Sequence, residues 1–230
     1  MEIMKSVDIG ILRSPEIVFA LVGNFSSAAV IIGTWNTVSV KNGKLLFNGV
    51  EYESISFVPS GDDSRFTLHD VVIGVNFHWE RQEDQKFAGA LKIIVEKDKL
   101  TAVNVVGVED YLLSVISSEM SASASEEFLK AHAVISRSWV MAQIESAGKQ
   151  SKASVPEGVN DLPSLVSHLD ASLFHAKEEQ GVDMEYVKWY DHEDHTRFDV
   201  CADDHCQRYQ GLTRATGQTV RKVVDSTWGQ

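Results

Sequence analysis

The chain has 230 residues, enough for one large domain or two small ones, and 43% of them are hydrophobic, an ordinary supply for a globular core. A formal net charge of −12 repels phosphate backbones and anionic lipid, so nucleic acid and membrane surfaces are poor partners, while neutral or weakly charged polymers such as glycans stay open. No uninterrupted run of eighteen apolar residues exists to span a bilayer, and Met1 to Gly10 lacks the basic start, apolar run and cleavage site of a signal peptide.

The first hundred residues read as β structure. Val7 to Leu12 alternates imperfectly, and Ile17 to Val22 and Ala28 to Ile32 are apolar runs of strand length. Val38-Ser39-Val40 and Lys44 to Phe47 flank Asn42-Gly43, a dipeptide suited to a type I′ hairpin turn. Ile55 to Val58, Val71 to Phe77, Ala90 to Val95 and Leu100 to Val108 continue the pattern, punctuated by Gly, Asn, Asp and Ser.

At Val108 the period changes. Val108, Leu112, Val115 and Ile116 fall at helix spacing, and Ser121 to Ser125 breaks the pattern. Ser125 is a suitable N-cap for a second helix, with the acids Glu126 and Glu127 in its first turn. Its apolar stripe reads Phe128, Ala131, His132, Ile135 and Trp139, and the small residues Ala131, Ala133 and Ser136 allow close packing. Glu145 to Asn160 is polar and reads as a flexible linker. Asp161 then caps a third helix through Leu173, followed by an aromatic patch at Tyr186, Trp189 and Tyr190 and a last strand-like piece, Thr219 to Val224.

Glu119 extends the stripe of the first helix. A carboxylate facing the core loses hydration, which raises its pKa and suits it to act as a general acid near neutral pH. The competing reading is a frayed helix end with Glu119 pointing to water. Lys130 and Arg137 are seven apart and share a helix face, so a helix folding back would bring two cations toward Glu119, unless that face is simply solvated.

These residues carry a resemblance. Val108-Glu109-Asp110-Tyr111-Leu112, then Val115 to Met120, then Leu129 to Trp139 resemble the signature of the stage II sporulation protein D family, also called the amidase-enhancer domain. His132 stands where that family usually has Gln, and Ser138-Trp139 where it has Thr-Tyr; the segment from Cys201 to Gly211 resembles a second block, Q-x-Y-x-G. The resemblance implies an α+β fold and a lytic transglycosylase acting on peptidoglycan, with Glu119 as its acid/base residue and Lys130 and Arg137 helping to bind or orient glycan. It also implies an extracytoplasmic location, in periplasm or cell wall, with the signal peptide not carried by this chain. Members of the family continue with further strands and a Ser/Gly-rich segment, so a chain ending at Gln230 is expected to be a truncated domain. A non-catalytic glycan-binding enhancer of another wall hydrolase is the alternative, and a zinc hydrolase a third.

His195-x5-Cys201-x3-His205-Cys206 offers two thiols and two imidazoles, the donor set of a tetrahedral zinc site. The resemblance supports zinc, since some family members bind it at this spacing. A Cys201–Cys206 disulfide and a substitution of His192 for His195 stay open, and the adjacency of His205 and Cys206 is geometrically awkward. Four protein ligands would close the site, making it a structural brace for the loop carrying Gln207 and Tyr209, two residues suited to lining a glycan cleft or, on the competing reading, to ordinary packing. His69, His78, His168 and His175 have no partners at motif spacing and read as ordinary surface or core residues. The expected organisation is a single domain, 1–230, built of a β-rich part (1–107), a catalytic helical pair (108–142), a linker and helical insertion (143–194) and a Cys/His loop with closing strands (195–230).

Overall fold

A computed structural model describes residues 5–31, 33–74, 77–120, 124–152, 195–215 and 217–230, with the backbone alone for 146–152. The predicted third helix, the aromatic patch, His168, His175 and His192 lie outside the described residues, as does the linker beyond residue 152.

Period-two burial builds twelve strands: β1 (Ser6–Ser14), β2 (Glu16–Val22), β3 (Phe25–Ser26), β4 (Trp35–Lys41), β5 (Lys44–Phe47), β6 (Val50–Tyr52), β7 (Ser54–Pro59), β8 (Arg65–Ile73), β9 (Arg81–Phe87), β10 (Ala90–Glu96), β11 (Lys99–Gly107) and β12 (Val200–Cys201). They form two six-stranded sheets, in the orders β12-β1-β11-β10-β7-β3 and β6-β5-β4-β2-β8-β9. The sheets meet through aromatic rings. Phe57 of β7 lies 5.0 Å from Phe19 of β2 and 5.8 Å from Phe47 of β5, centroid to centroid, so a single ring stitches one sheet to the other. Asn42 and Gly43 take φ of 51° and 74°, the doubly left-handed geometry of a type I′ turn, as the dipeptide predicts.

Three β expectations need correction. Residues 28–31 are irregular rather than a strand. The run expected over Val71 to Phe77 is the end of a longer strand that begins at Arg65 and stops at Ile73. β9, with the sequence RQEDQKF, escapes a hydropathy reading because only Gln85 and Phe87 are buried, Glu83 is partly so, and the other four are exposed at a sheet edge.

The α+β class holds: among the described residues three α-helices accompany the sheets. α1 (Val108–Glu119) leaves β11 without a break, its acids Glu109 and Asp110 in the first turn, where the helix dipole favours them. α2 (Glu126–Lys152) starts as expected, with the Ser125 hydroxyl accepting from the Phe128 amide at 3.3 Å. It continues past Glu145 to residue 152, so the first part of the expected linker is helical. Its buried face is also different from the expected stripe. Leu129, Ala133, Ser136, Arg137 and Val140 are buried, whereas Phe128 and Ile135 are 51% and 67% exposed and Ala131 faces solvent. Ala133 and Ser136, two of the small residues, are on that buried face. The last expected strand is instead α3 (Gln218–Ser226), whose Val220, Val223 and Val224 are buried at helical spacing i, i+3, i+4. A three-valine segment of nine residues satisfies either period locally, and packing against α1 and α2 selects the helix.

Replacing Phe57 by Ala removes the ring that joins the sheets. It is expected to lower unfolding free energy by about 3–5 kcal/mol, read as a lower denaturant midpoint at an unchanged m-value.

Candidate functional site

The site is assembled where the C-terminal end of α1 meets α2 and the Cys/His loop. α1 is held by Arg137. This side chain is only 6% exposed, and its guanidinium donates to both carboxylate oxygens of Glu109, at 2.9 and 2.7 Å. It also donates to the carbonyl of Thr227 at 2.9 Å and to that of Val224 at 3.4 Å, which caps the carbonyl end of α3 with a cation. One planar fork therefore ties three helices together. Arg137 is spent on this clamp and not on a solvent-facing cleft. Lys130 is exposed and pairs one turn back with Glu126, at 2.6 Å. The structure brings neither cation into hydrogen-bonding contact with Glu119.

Glu119 itself ends α1. Its side chain is 26% exposed rather than buried in the core stripe, because the helix ends there and Met120 turns away into extended backbone. Both carboxylate oxygens are engaged. Oε1 accepts from the backbone N–H of Arg208 at 3.0 Å, and Oε2 lies 3.0 Å from Nε2 of His132 on α2. Neither partner was singled out from the sequence as a site residue. His132 had a signal, its departure from the family's usual Gln, but Arg208 acts through its main chain and leaves no trace in its residue type.

The Cys/His loop is docked by backbone and by shape. Asp8 and Asp199 exchange bonds, the Asp8 amide donating to the Asp199 carboxylate and the Asp199 amide to the Asp8 carbonyl, both at 2.9 Å. β12 then pairs in parallel with β1, setting Cys201 opposite Gly10. A Cβ on Gly10 would stand 2.6 Å from the Phe198 ring, so only glycine admits that ring, and the ring in turn stacks on His195 with centroids 4.7 Å apart. At the far end of the loop Tyr209 is buried. Its hydroxyl donates to Asn104 at 2.7 Å, and its ring stacks on Tyr111 at 5.2 Å. The Tyr111 hydroxyl donates to Gln207 Oε1 at 3.0 Å. Burial pushes both phenols far above the ordinary tyrosine range, so they stay neutral donors. Tyr209 is thus a core anchor, and Gln207, half-buried, is tied to Tyr111.

The structure brings His195, Cys201, His205 and Cys206 together, their ligand atoms all within 4.8 Å of one another. Cys206 Sγ lies 3.4 Å from His195 Nε2 and 3.4 Å from His205 Nδ1, and Cys201 Sγ is 3.8 Å from His205 Nδ1. Both thiols are free. The bond shared with Cys206, with His195 alongside, pulls the Cys201 thiol well below its ordinary range, while the same bond pushes Cys206 up. Two thiols and two imidazoles in this arrangement can hold a metal ion.

Arg208 joins the parts. Its guanidinium pairs with Asp204 at 2.8 Å and sits 5.1 Å over the ring of Trp79. It also lines a cleft of about 760 Å³ that runs beside the loop past Phe198, Cys201 and the buried Gln85. Glu119 is not among the residues lining that cleft. His69, read as partnerless, pairs with Asp84 at 2.9 Å across β8 and β9 and stacks on Trp35 at 4.2 Å; its ring holds the Asp84 carboxyl below the usual range. His78 is exposed.

Residues 96–230 match the SpoIID family, stage II sporulation protein, over more than half of the chain. The chain belongs to that family. No curated protein and no solved structure matches it significantly.

Arg137→Met removes the fork and leaves Glu109 unpaired beside the α3 carbonyls. The expected cost is about 3 kcal/mol or more, and Arg137→Lys should recover little of it because a single ammonium cannot span both carboxylate oxygens and Thr227. Equilibrium denaturation of the two variants checks this.

Proposed function

We propose that the protein is a peptidoglycan lytic transglycosylase with Glu119 as its acid/base residue. The observation that carries this reading is the placement of Glu119: a partly exposed carboxylate at the junction of α1, α2 and the Cys/His loop, at the position of the family's Glu-Met pair. The chemistry asks for one carboxyl group only. In its acid form it gives a proton to the glycosidic oxygen as the bond from the muramyl anomeric carbon to that oxygen breaks. The same sugar's 6-hydroxyl then bonds to the anomeric carbon and returns its proton to the carboxylate. The product carries a 1,6-anhydromuramyl end and the enzyme regains its acid. An ordinary glycosidase would instead need a second carboxylate to activate water or act as nucleophile.

Zinc fits the Cys/His cluster. Zn–S bonds of about 2.3 Å and Zn–N bonds of about 2.0–2.1 Å arranged tetrahedrally put sulfur and nitrogen about 3.5–3.6 Å apart. The observed separations of 3.4, 3.4 and 3.8 Å bracket that value, the neighbours His205 and Cys206 included. His195, Cys201, His205 and Cys206 would hold the ion, and four protein ligands match a structural site. Its contribution is to brace the loop whose Arg208 amide meets Glu119. The substrate is glycan of the cell wall, encountered outside the cytoplasm. No helix among the described residues is long and apolar enough to cross a membrane.

Glu119 does not line the cleft beside the Cys/His loop, and this favours, as a second reading, a glycan-binding partner that stimulates another wall hydrolase.

Digests of intact and peptide-stripped glycan, analysed by mass spectrometry, separate the two. Anhydromuramyl ends are expected from wild type and should fall about 100-fold or more in Glu119→Gln. Glycan pull-down without any anhydro product from wild type would leave only the enhancer reading standing. Metal analysis is expected to find one zinc per chain. Chelation, or Cys201→Ser, should lower the melting temperature, since binding energy of a structural ion is folding energy; oxidised cysteines with no metal would refute the zinc site.

A further inference from the structure

His132 is set against Glu119 in an unusual way. Its Nε2 lies 3.0 Å from Glu119 Oε2, the side chain is 13% exposed, and the other ring nitrogen, Nδ1, is buried with no hydrogen-bond partner among the described residues. That orphaned nitrogen decides the state of the ring. An imidazolium carries N–H on both nitrogens, and the neutral tautomer protonated at Nδ1 carries one there. Either form would bury an N–H with nothing to accept it, a group that folded proteins rarely leave unpaired. The remaining form is neutral, with its proton on Nε2. It leaves Nδ1 as a bare lone pair and aims the only N–H of the ring at the carboxylate.

The one charge that faces the ring is the Glu119 carboxylate, whose attraction for an imidazolium is set against the cost of burying an unpaired Nδ1–H. Lys130 is paired with Glu126, and the Arg208 guanidinium with Asp204. Glu119 therefore receives two fixed donors, the His132 ring on Oε2 and the Arg208 amide on Oε1. Each carboxylate oxygen has a second lone pair free, and rotation about the carboxyl torsion is stopped from both sides.

We propose that His132 is a positioning residue for Glu119, locked as a neutral Nε2–H donor that clamps the carboxylate against the Arg208 amide. It does the work of a side-chain amide, which is what the resembling family usually places here, and it carries no proton in the reaction. This rests on Glu119 being the acid/base group, and the experiment has one arm that does not.

That arm is long-range ¹H–¹⁵N correlation of the histidine rings in labelled wild-type protein, with His132→Gln as the assignment control. The expected pattern between about pH 6 and 8 is a protonated Nε2 and a bare Nδ1. A charged ring, or a proton on Nδ1, overturns the proposal whether or not the protein cleaves glycan. The second arm measures anhydromuramyl product from stripped glycan across the same range. His132→Leu, which keeps bulk and loses the donor, should lower kcat about 10- to 100-fold with little change in KM. His132→Gln should rescue most of that loss with the same pH profile. If Gln is as poor as Leu and activity near neutral pH collapses, the ring carries the proton and the proposal is wrong; if Leu is as active as wild type, the clamp is irrelevant. Melting temperatures of both variants, within a few degrees of wild type, exclude unfolding as the cause. Absence of any anhydro product from wild type would count against the lytic reading and leave the ring assignment to decide the clamp.

Discussion

The arrangement around Glu119 depends on one buried side chain, Tyr209. Its hydroxyl is satisfied by Asn104 in the middle of β11, and its ring is held between Phe87 on one sheet and Tyr111 on α1. A phenol with no access to water must keep its hydrogen bond, so the loop that carries it has one place to end. The residue before Tyr209 is Arg208, whose amide meets Glu119. The residue after it is Gln210, whose amide donates to Ser114 of α1 at 3.0 Å. Removing the anchor would release both contacts at once. Core packing and the candidate site are therefore the same structure seen from two sides, with sheet, helix and loop all meeting on that ring.

The loop is anchored at its other end by different physics. There the restraint is shape: the missing Cβ of Gly10 admits Phe198, and Phe198 supports His195. Between the two anchors lie Cys201, His205 and Cys206, with His195 just ahead of Phe198. A metal ion there would join two segments already fixed, so its effect on the position of the Arg208 amide is to stiffen rather than to create. Second-layer contacts of this kind orient ligands and tune the groups beyond them.

Arg137 and His132 illustrate how a polar residue on a helix can be reassigned by its neighbours. Both lie on α2, five residues apart, and both meet a glutamate of α1. Arg137 meets Glu109 deep among three helices, where a delocalised fork can satisfy several acceptors. His132 meets Glu119 at the helix end, where the pair is open to solvent on one side. The first contact sets the angle of α1 against α2 and α3. The second is only possible because that angle is set.

Much of this was readable from residues alone. Alternation and turn chemistry located most strands and the Asn42-Gly43 hairpin, because those signals are local and each depends on a few adjacent side chains. The change of period at Val108, the Ser125 cap and the spacing of the Cys/His cluster are local as well, and the ordered match from Glu109 to Trp139 pointed to Glu119. What the sequence could not decide was which face of an element finds a partner. β9 is polar and pairs because β8 offers it an edge. Thr219 to Val224 is helical because α1 and α2 give its valines a groove. Phe128, Ala131 and Ile135 of the expected α2 stripe face water because Arg137 and Ala133 turn the other side inward. Whether Glu119 is buried, whether Arg137 is a sugar contact or a clamp, and which nitrogen of His132 carries a proton are all set by atoms distant in the chain. Burial and hydrogen-bond partnership are properties of the assembled fold, and only the tertiary structure supplies them.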